Sequence, residues 1–505
     1  MATLSRNLRL SLDTPTQDFV RTKIVCTIGP NTMNVEMLVK LLNTGMSVCR
    51  LNFSHGTHEY HASVIKNVRE AMKLTGKKCA IMLDTKGPEI RSGKLEGGKP
   101  LDLEVDQELI VDTNTSVPGN SKRIYLDYQD LITSVSVGGK ILLSDGVISL
   151  TITEINKENK SLKCKVDNKS KLGETKNCHL PGAIVTLPAV SEKDVSDIKF
   201  GIEQNINLIS ASFIRKAQDV IDIRELLGDR AKDIFIISKI ESEEGIVNFN
   251  EILEVSDGIM VARGDLGVVV PTEKIFVAQK MMVSKCNAAH KPVITATQML
   301  DSMIKAPRPT RAEATDVANS VLDGTDCVML SGETANGDYP IESVDTMTRI
   351  CREAELVESS TDFQTVFTAL KVCNDKTISI AESVASYAVA TSIDLKASII
   401  ITMTETGFTT RLVSKYKPPI PIYAVTSSES TVAHLYATRG AIPFLVQPHI
   451  GTKENVESCI AEAFSRGFVK PGSRVVIVSG ALEGVQGKTN SLRVVTIGDS
   501  KEVIF

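Results

Sequence analysis

Short apolar runs alternate with helical patterns over the first 335 residues, and this alternation constrains the fold more than any other feature of the chain. Most runs are continuous and apolar, which is typical of strands buried on both faces. Helical patterns follow several of them, for instance at Val35–Asn43 and at Ile275–Ala289, where Pro271 and Thr272 are start signals. Eight such units in roughly 250 residues predict a closed (β/α)8 barrel, or TIM barrel. The predicted strands are Lys23–Gly29, Met46–Ser54, Cys79–Thr85, Leu208–Ile214, Ile234–Glu241, Gly258–Asp265, Pro292–Gln298 and Cys327–Gly332.

One interval breaks the rhythm, because about 120 residues separate the third and fourth runs. Short alternating strands with Gly- and Asn-rich turns fill this interval and predict a small β-domain inserted on a barrel loop. Its predicted strands are Leu101–Val105, Leu109–Asp112, Lys140–Leu143, Val147–Ile152 and Ser161–Val166. After residue 357 the pattern becomes a separate α/β unit, with strands predicted at Ala397–Thr402, Ile420–Val425, Val475–Ser479 and Arg493–Ile497.

Charge and cysteine content exclude several classes of protein. The chain has 57 Lys and Arg against 61 Asp and Glu, a balance that disfavours binding to nucleic acid or to a membrane surface. Ten cysteines without a C-x-x-C pair indicate a reduced, intracellular protein. No apolar run approaches the ~18 residues of a membrane span, and the N-terminus lacks a secretory apolar region. Arg6 and Arg9 give it a faint transit-peptide character, but we expect a cytoplasmic location.

Polar side chains collect at the carboxyl ends of six predicted strands, where barrel enzymes place their active sites. Alternation puts Arg50, Asn52 and Ser54 on one face of the second strand. Each motif alone also has a structural explanation, since a Lys-x-Glu pair is usually solvated and an Asp after Arg-Gly is commonly a helix cap. Six of them at one end of one barrel favour a function. The other polar residues at these ends are Asp84, Thr85, Lys239, Glu241, Asp265, Thr297 and Ser331.

These residue types indicate a site for an anion and metal ions. Glu241 and Asp265, on adjacent strands, suit a hard divalent cation such as Mg²⁺. Arg50 and Lys239 suit a phosphoryl group. A second, all-oxygen set with one formal charge suits a monovalent cation. Two cations and two basic side chains, with no His or Cys nucleophile, favour electrostatic phosphoryl transfer over covalent catalysis. The all-oxygen set is Asn52, Ser54, Asp84 and the Thr85 carbonyl.

Two further motifs are weaker. Gly487-Lys488-Thr489 looks like the end of a Walker A loop, but Leu482 occupies the position of its first glycine. His55, His58 and His61 are spaced three residues apart after the second strand. They form a possible metal site, but histidines at this spacing more commonly solvate a helix.

Five segments resemble signatures of the pyruvate kinase family, and the resemblance extends over nearly the whole chain. It implies a barrel domain at 20–87 and 188–357, a mobile lid, a small β-barrel, at 88–187, a C-terminal effector domain at 358–505 and an N-terminal arm at 1–19. It also implies transfer of a phosphoryl group from phosphoenolpyruvate to ADP, and a homotetramer. The segments are Arg50–Tyr60, Leu83–Arg91, Ile236–Gly245, Met260–Gly267 and Thr295–Glu313.

The resemblance also implies residue roles. Arg50 and Lys239 would hold the transferred phosphoryl group, and Lys239 would stabilise the transition state. Glu241 and Asp265 would bind Mg²⁺ or Mn²⁺, and the all-oxygen set would bind K⁺. The N–H groups of Gly264 and Asp265 and the Thr297 hydroxyl would receive the substrate carboxylate, and a water network near Thr297 and Ser331 would deliver a proton. Nucleotide contacts would come from Asn52, His55, Tyr60, Arg91 and Lys176. Glu89 is typical of members that depend on K⁺.

The C-terminal unit departs from the family where the resemblance implies an effector-phosphate loop. Glu405 puts a carboxylate beside the phosphate, Phe408 replaces a frequent Arg, and the late loop Gly480–Asn490 carries only Lys488 as a basic residue. These departures predict a monophosphate effector or none, rather than fructose bisphosphate. Two smaller departures, Ser242 and His179, leave the catalytic set intact. The loop consists of Thr404, Glu405, Thr406, Gly407, Phe408 and Thr409.

Two alternatives to an active kinase remain at this point. A Mg²⁺-dependent lyase or aldolase on a similar barrel needs the metal carboxylates but neither the clamp of Arg50 and Lys239 nor the K⁺ set. A catalytically inactive relative with a regulatory or binding role would lack Lys239, Glu241, Asp265 or Thr297. All four are present, which favours the enzyme.

Overall fold

Eight parallel strands form a closed barrel, which confirms the prediction from the alternating pattern. The structure, a computed structural model, describes residues 10–11, 13, 19–357, 367–368, 378–447, 451–480, 489–499 and 503–504, so most of the predicted N-terminal arm lies outside the described residues. Around the barrel the strands are Lys23–Thr27, Cys327–Leu330, Val293–Ala296, Gly258–Ala262, Phe235–Ile240, Leu208–Ala211, Ala80–Asp84 and Met46–Asn52.

The insert between the third and fourth barrel strands folds around its own apolar cluster. It contains a seven-stranded, mostly antiparallel sheet that curls as half a barrel, together with a two-stranded ribbon. All five predicted strands are present, and four short ones accompany them. In sheet order the strands are Ile90–Arg91, Asn177–His179, Lys140–Leu143, Ile148–Asn156, Ser161–Val166, Glu108–Asp112 and Arg123–Tyr125, and the ribbon pairs Ser170–Leu172 with Leu101–Leu103.

The C-terminal unit is a six-stranded sheet with apolar clusters on both faces. Four of its strands are parallel, the fifth in the sheet runs antiparallel to them, and the sixth runs antiparallel to the fifth. In sheet order they are Ala441–Leu445, Ile422–Thr426, Ile399–Met403, Arg474–Gly480, Thr489–Ile497 and Val503–Ile504. Ala437 and Tyr436 of this unit pack in the same apolar cluster as the barrel's interior side chains, so the C-terminal unit contacts the floor of the barrel directly.

Helices follow most strands, and side-chain caps define many of their starts. Asn34 accepts a hydrogen bond from the Met37 N–H at 2.9 Å, and Thr310 forms a capping box with Glu313. The helices are Val35–Thr44, His58–Thr75, Leu131–Ser134, Glu192–Glu203, Ala217–Leu227, Glu243–Val247, Phe249–Val255, Arg263–Val269, Thr272–Ala288, Arg311–Asp323, Gly332–Ala335, Pro340–Val357, Ile380–Asp394, Phe408–Lys415, Glu429–Leu435 and Thr452–Ser465, with 3-10 turns at Glu96–Gly98, Gly228–Lys232 and Asp301–Ile304.

Two further observations bear on the expectations from composition. All nine cysteines that the structure describes are free and buried. Among the described residues no helix has both the length and the apolar character needed to cross a membrane.

Candidate active site

Asp84 is the centre of a buried charge network at the carboxyl end of the barrel. Its carboxylate accepts a hydrogen bond from Arg50 Nε at 2.8 Å and another from Lys239 Nζ at 3.2 Å. Burial disfavours the charged carboxylate, but the charges of Arg50 and Lys239 outweigh it and lower the pKa of Asp84. Arg50 is fixed further by Thr27, whose hydroxyl accepts from Nη1 at 2.8 Å. The two basic side chains predicted for the site, Arg50 and Lys239, therefore share the ionised carboxylate of Asp84.

Lys239 is held from three sides. Besides Asp84, its ammonium group lies 3.0 Å from Glu241 Oε1 and donates to the Ser212 hydroxyl at 2.7 Å. Burial opposes the charged form, yet the carboxylates of Asp84 and Glu241 raise the pKa of Lys239 above its ordinary value. The amine stays protonated and can stabilise negative charge. Sequence reasoning missed Ser212, although it directly follows the fourth barrel strand.

Glu241 and Asp265 come together as predicted. Burial and the charge of Asp265 raise the pKa of Glu241 to about 7, against the opposing effect of Lys239. The enclosed position of Asp265, together with the charges of Glu89 and Asp145, raises its pKa as well. Two neighbouring carboxylates whose pKa values are both raised fit a divalent cation, which would favour the charged form of both. The described residues hold no cluster of three or more His, Cys, Asp or Glu side chains suited to a metal, so water and substrate oxygens would complete the shell.

The two departures near these carboxylates have structural roles. Ser242 caps the following helix by accepting a hydrogen bond from the Gly245 N–H at 3.1 Å. His179 of the insert places Nε2 3.8 Å from Asp265 Oδ1, and burial lowers its pKa. The insert therefore reaches Asp265 at the carboxyl end of the barrel.

Thr297 has a left-handed backbone conformation, with φ of 75°. A side chain of this type rarely adopts it, so surrounding contacts must hold it. Arg263 supplies them, because its Nη2 donates to the Thr297 carbonyl at 2.8 Å while Asp316 pairs with the same guanidinium at 2.7 Å. Gly264 packs against the Thr297 side chain. Sequence reasoning quoted Arg263 only as part of a motif and missed this positioning contact.

Ser331 directly follows the last barrel strand and depends on another residue that sequence reasoning missed. Glu333 is almost fully buried and accepts hydrogen bonds from the Ser331 N–H at 2.6 Å and from the Leu300 N–H at 3.1 Å. Burial raises the pKa of Glu333. It joins the loops that follow the seventh and eighth strands.

The four predicted K⁺ ligands lie at the ends of the second and third barrel strands or just after them, with Asn52 directly opposite Asp84 in the register. The Asn52 side-chain oxygen accepts from the Ser54 N–H at 3.1 Å, and the Thr85 carbonyl accepts from the Ser212 hydroxyl at 2.6 Å. The structure thus places Asn52 and Asp84 side by side, and the chemistry of an all-oxygen set with one carboxylate fits a monovalent cation.

The predicted nucleotide residues fall into two groups that no hydrogen bond joins in the described part of the chain: Asn52, His55 and Tyr60 belong to the barrel domain, and Arg91 and Lys176 to the insert. His55 is exposed in the loop after the second strand, and Tyr60 is half-buried in the next helix. Arg91 and Lys176 belong to the insert, where the Arg91 guanidinium pairs with Glu89 at 2.9 Å and the Lys176 side chain is exposed.

The histidine spacing does not build a metal site. His58 Nε2 lies 2.8 Å from Asp197 Oδ1, and its ring stacks on Phe200. The His61 ring stacks on Phe53 at 3.9 Å, and its Nε2 bonds to the His55 carbonyl. The rings are therefore engaged in packing and capping contacts.

The predicted effector loop starts the helix Phe408–Lys415. Gly407 has a φ of 77°, and a Cβ there would lie 2.7 Å from the Arg411 guanidinium, so glycine is required. The Thr406 carbonyl accepts from Arg411 at 3.1 Å, and the Thr409 and Thr489 hydroxyls bond at 2.6 Å. The Phe408 ring contacts His290 of the barrel instead of facing a phosphate. Lys488 and the rest of 481–488, including the Walker-like segment, lie outside the described residues, apart from Thr489.

Comparison with known proteins matches both large units. The model of the pyruvate kinase barrel domain matches residues 19–344, and that of the pyruvate kinase alpha/beta domain matches 382–495. A pyruvate kinase of Dictyostelium discoideum is 72% identical over 501 residues, 99% of each chain. A cytosolic isozyme of pyruvate kinase from Solanum tuberosum is 48% identical over 476 residues, 90% of this chain and 93% of its own. Among solved structures, a pyruvate kinase from Cryptosporidium parvum superposes with a TM-score of 0.91 at 44% identity, over 96% of this chain and 99% of that one.

Proposed function

The chain belongs to the pyruvate kinase family, and from that premise we propose how its own residues carry out the reaction. It is a phosphotransferase that moves the phosphoryl group of phosphoenolpyruvate to ADP and yields pyruvate and ATP. The observation that carries the residue-level proposal is the buried network of Arg50, Asp84 and Lys239 beside Glu241.

Arg50 and Lys239 bind the transferred phosphoryl group. Their shared carboxylate holds both cations before substrate arrives, so little reorganisation is needed during the reaction. The raised pKa of Lys239 keeps its charge at neutral pH, and this charge stabilises the enolate that forms as the phosphoryl group leaves. Ser212 orients the Lys239 ammonium group.

Glu241 and Asp265 would hold the divalent metal on which the family generally depends, which we propose to be Mg²⁺ or Mn²⁺. When bound, it would neutralise phosphoryl charge and polarise the substrate oxygens. Asn52, Ser54, Asp84 and Thr85 would hold K⁺, and Glu89 marks K⁺ dependence.

Substrate orientation depends on the loops after the sixth, seventh and eighth strands. The Gly264 and Asp265 N–H groups and the Thr297 hydroxyl receive the carboxylate of phosphoenolpyruvate. Arg263 fixes the position of that hydroxyl through the Thr297 backbone. A water network beside Thr297 and Ser331 delivers the proton to the enolate carbon, and ketonisation then draws the transfer forward.

The nucleotide lies between the barrel and the insert, which acts as a lid over residues 88–187. Asn52, His55 and Tyr60 would contact ADP from the barrel, and Arg91 and Lys176 from the lid. Two charged residues on the lid would draw it toward the phosphates, and its closure would exclude water, so the phosphoryl group reaches ADP and not solvent.

We also propose a homotetramer and a cytoplasmic location, the latter supported by the cytosolic isozyme names of plant relatives. The loop Thr404–Thr409 would bind a monophosphate effector or none. A tenfold fall in the apparent KM for phosphoenolpyruvate on adding fructose bisphosphate would contradict this last point.

The decisive test is a lactate-dehydrogenase-coupled assay with phosphoenolpyruvate, ADP and Mg²⁺. Lys239→Met should lower kcat by several orders of magnitude because the charge that stabilises the enolate is lost. Lys291→Met is the control, since Lys291 is a half-buried lysine of the barrel domain that lies just before the seventh strand, and among the described residues it donates to the carbonyls of Leu253 and Glu254. Near-normal kcat for Lys239→Met would remove its assigned role, and no turnover by folded wild-type protein would favour the inactive relative.

The same assay with different monovalent cations tests the K⁺ site separately from the divalent-metal site. We expect turnover to require K⁺, with little activity when tetramethylammonium replaces it, because Glu89 supplies no cation of its own. Glu89→Lys should lessen that requirement. Full activity of the wild type without K⁺ would refute the monovalent site while leaving the phosphotransferase reaction in place.

A further inference from the structure

A cavity of about 650 Å³ lies at the opposite, amino-terminal end of the barrel, away from the candidate active site. The barrel side of its wall comes from residues that precede strands, among them Lys78 and Asn207. The other side comes from the helix Glu429–Leu435 and from Tyr436 of the C-terminal unit. The volume is in the range of small-molecule sites.

More basic than acidic side chains line this cavity. Arg230 pairs with Asp233 at 3.2 Å. Arg69 donates only to the backbone carbonyls of Gln204 and Asn205. Lys78 has no hydrogen-bond or ion-pair partner within the described ranges. Burial without a counter-ion lowers the pKa of Arg69, so an anion beside it would be stabilising.

Two uncharged side chains of the cavity can also donate hydrogen bonds to an anion. The Asn207 side-chain oxygen accepts from the Ile81 N–H at 2.8 Å, which leaves its amide nitrogen available to donate. The Tyr436 hydroxyl has no hydrogen-bond partner among the described residues, and burial raises its pKa to about 12, so it remains a donor at neutral pH. Two cations without an acidic partner among the described residues, Arg69 and Lys78, and two neutral donors thus line one cavity.

We propose that this cavity binds a small anion through a phosphate or carboxylate group, held by Arg69, Lys78, Asn207 and Tyr436. Glu429, on the C-terminal wall, has no ion-pair partner in the part of the chain described and would accept a hydrogen bond from a hydroxyl of the same ligand. Because the two walls belong to different units, a bound anion stabilises the contact between the barrel and the C-terminal sheet.

Calorimetric titration of the full-length protein with inorganic phosphate and, separately, with succinate tests the site. Arg69→Gln/Lys78→Gln should weaken one binding event at least about tenfold, since charged hydrogen bonds are lost. Lys77→Gln is the matched control, because this exposed neighbour contacts Asn43 and does not line the cavity. Preference for phosphate over succinate, or the reverse, identifies the anionic group.

Arg50→Gln distinguishes binding in the cavity from anion binding at the candidate active site. This variant should lose anion binding at the active site and keep anion binding in the cavity. Lys78→Gln alone repeats the test without disturbing the backbone contacts of Arg69. Unchanged affinity in both cavity variants, no saturable binding of either anion to the wild type, or only the event that Arg50→Gln removes would each overturn the proposal. The outcome is independent of whether the phosphotransfer roles are correct.

Discussion

A single methyl group at position 264 should test how closely Thr297 must be placed. A Cβ on Gly264 would lie 2.8 Å from the Thr297 Cγ2 atom, whereas ordinary contacts begin near 3.4 Å. Thr297 must therefore move by about 0.6 Å, and the contacts of Arg263 oppose that movement. Since a misplacement of ~1 Å can cost about a hundredfold in rate, we expect Gly264→Ala to lower kcat/KM by about ten- to a hundredfold.

Gly267→Ala is the matched control in the same helix, because a Cβ there meets no atom within 4 Å. Helix propensity should make that variant more stable by about 0.5–1 kcal/mol, with normal kinetics. In Gly264→Ala the same gain is offset by about 1–3 kcal/mol of overpacking. Steady-state kinetics and denaturant unfolding measure both quantities. Equal kcat/KM for the two alanine variants would refute the close-contact argument for Thr297.

Two further predictions concern stability and the segment that returns from the insert to the barrel. Burial lowers the pKa of Lys23 from 10.5 to about 8, so the unfolded chain binds more protons between these values and stability rises with pH across that window. The free energy of unfolding should gain up to about 3 kcal/mol there relative to Lys23→Met, and parallel pH profiles would contradict this. Arg215 donates to the carbonyls of Val185 and Leu187 in the segment that returns from the insert. Arg215→Lys removes the guanidinium group that donates to both carbonyls, so it should speed amide hydrogen exchange in that segment. Unchanged hydrogen exchange would argue against an anchoring role for Arg215.

Sequence reasoning succeeded where local periodicity determines structure. Strand alternation places Arg50 and Asn52 on one face, and the parallel register then brings Asn52 opposite Asp84. Each barrel strand lies within its predicted run, because a strand buried on both faces is apolar throughout. The chemistry followed from which side chains end those strands.

The omissions have a common physical cause, which is dependence on distant partners. Arg263 positions Thr297 across 34 residues of chain, and Ser212 bonds Lys239 and Thr85 across 27 and 127 residues. No local pattern encodes such pairs. The short strand Ile90–Arg91 likewise exists because Asn177–His179 pairs with it from the far end of the insert.

Charge balance at the active end explains why the proposed cations and the substrate belong to one binding process. Arg50 and Lys239 are already neutralised by Asp84 and Glu241, and Asp265 adds a further carboxylate. A phosphate entering this network without metal would meet more negative than positive charge, in a site where burial amplifies the repulsion. Each cation held by these carboxylates would release part of the charge of Arg50 and Lys239 for the phosphoryl group. Under the proposed roles, the same carboxylates that hold the two basic residues in place would therefore make their action on substrate conditional on metal.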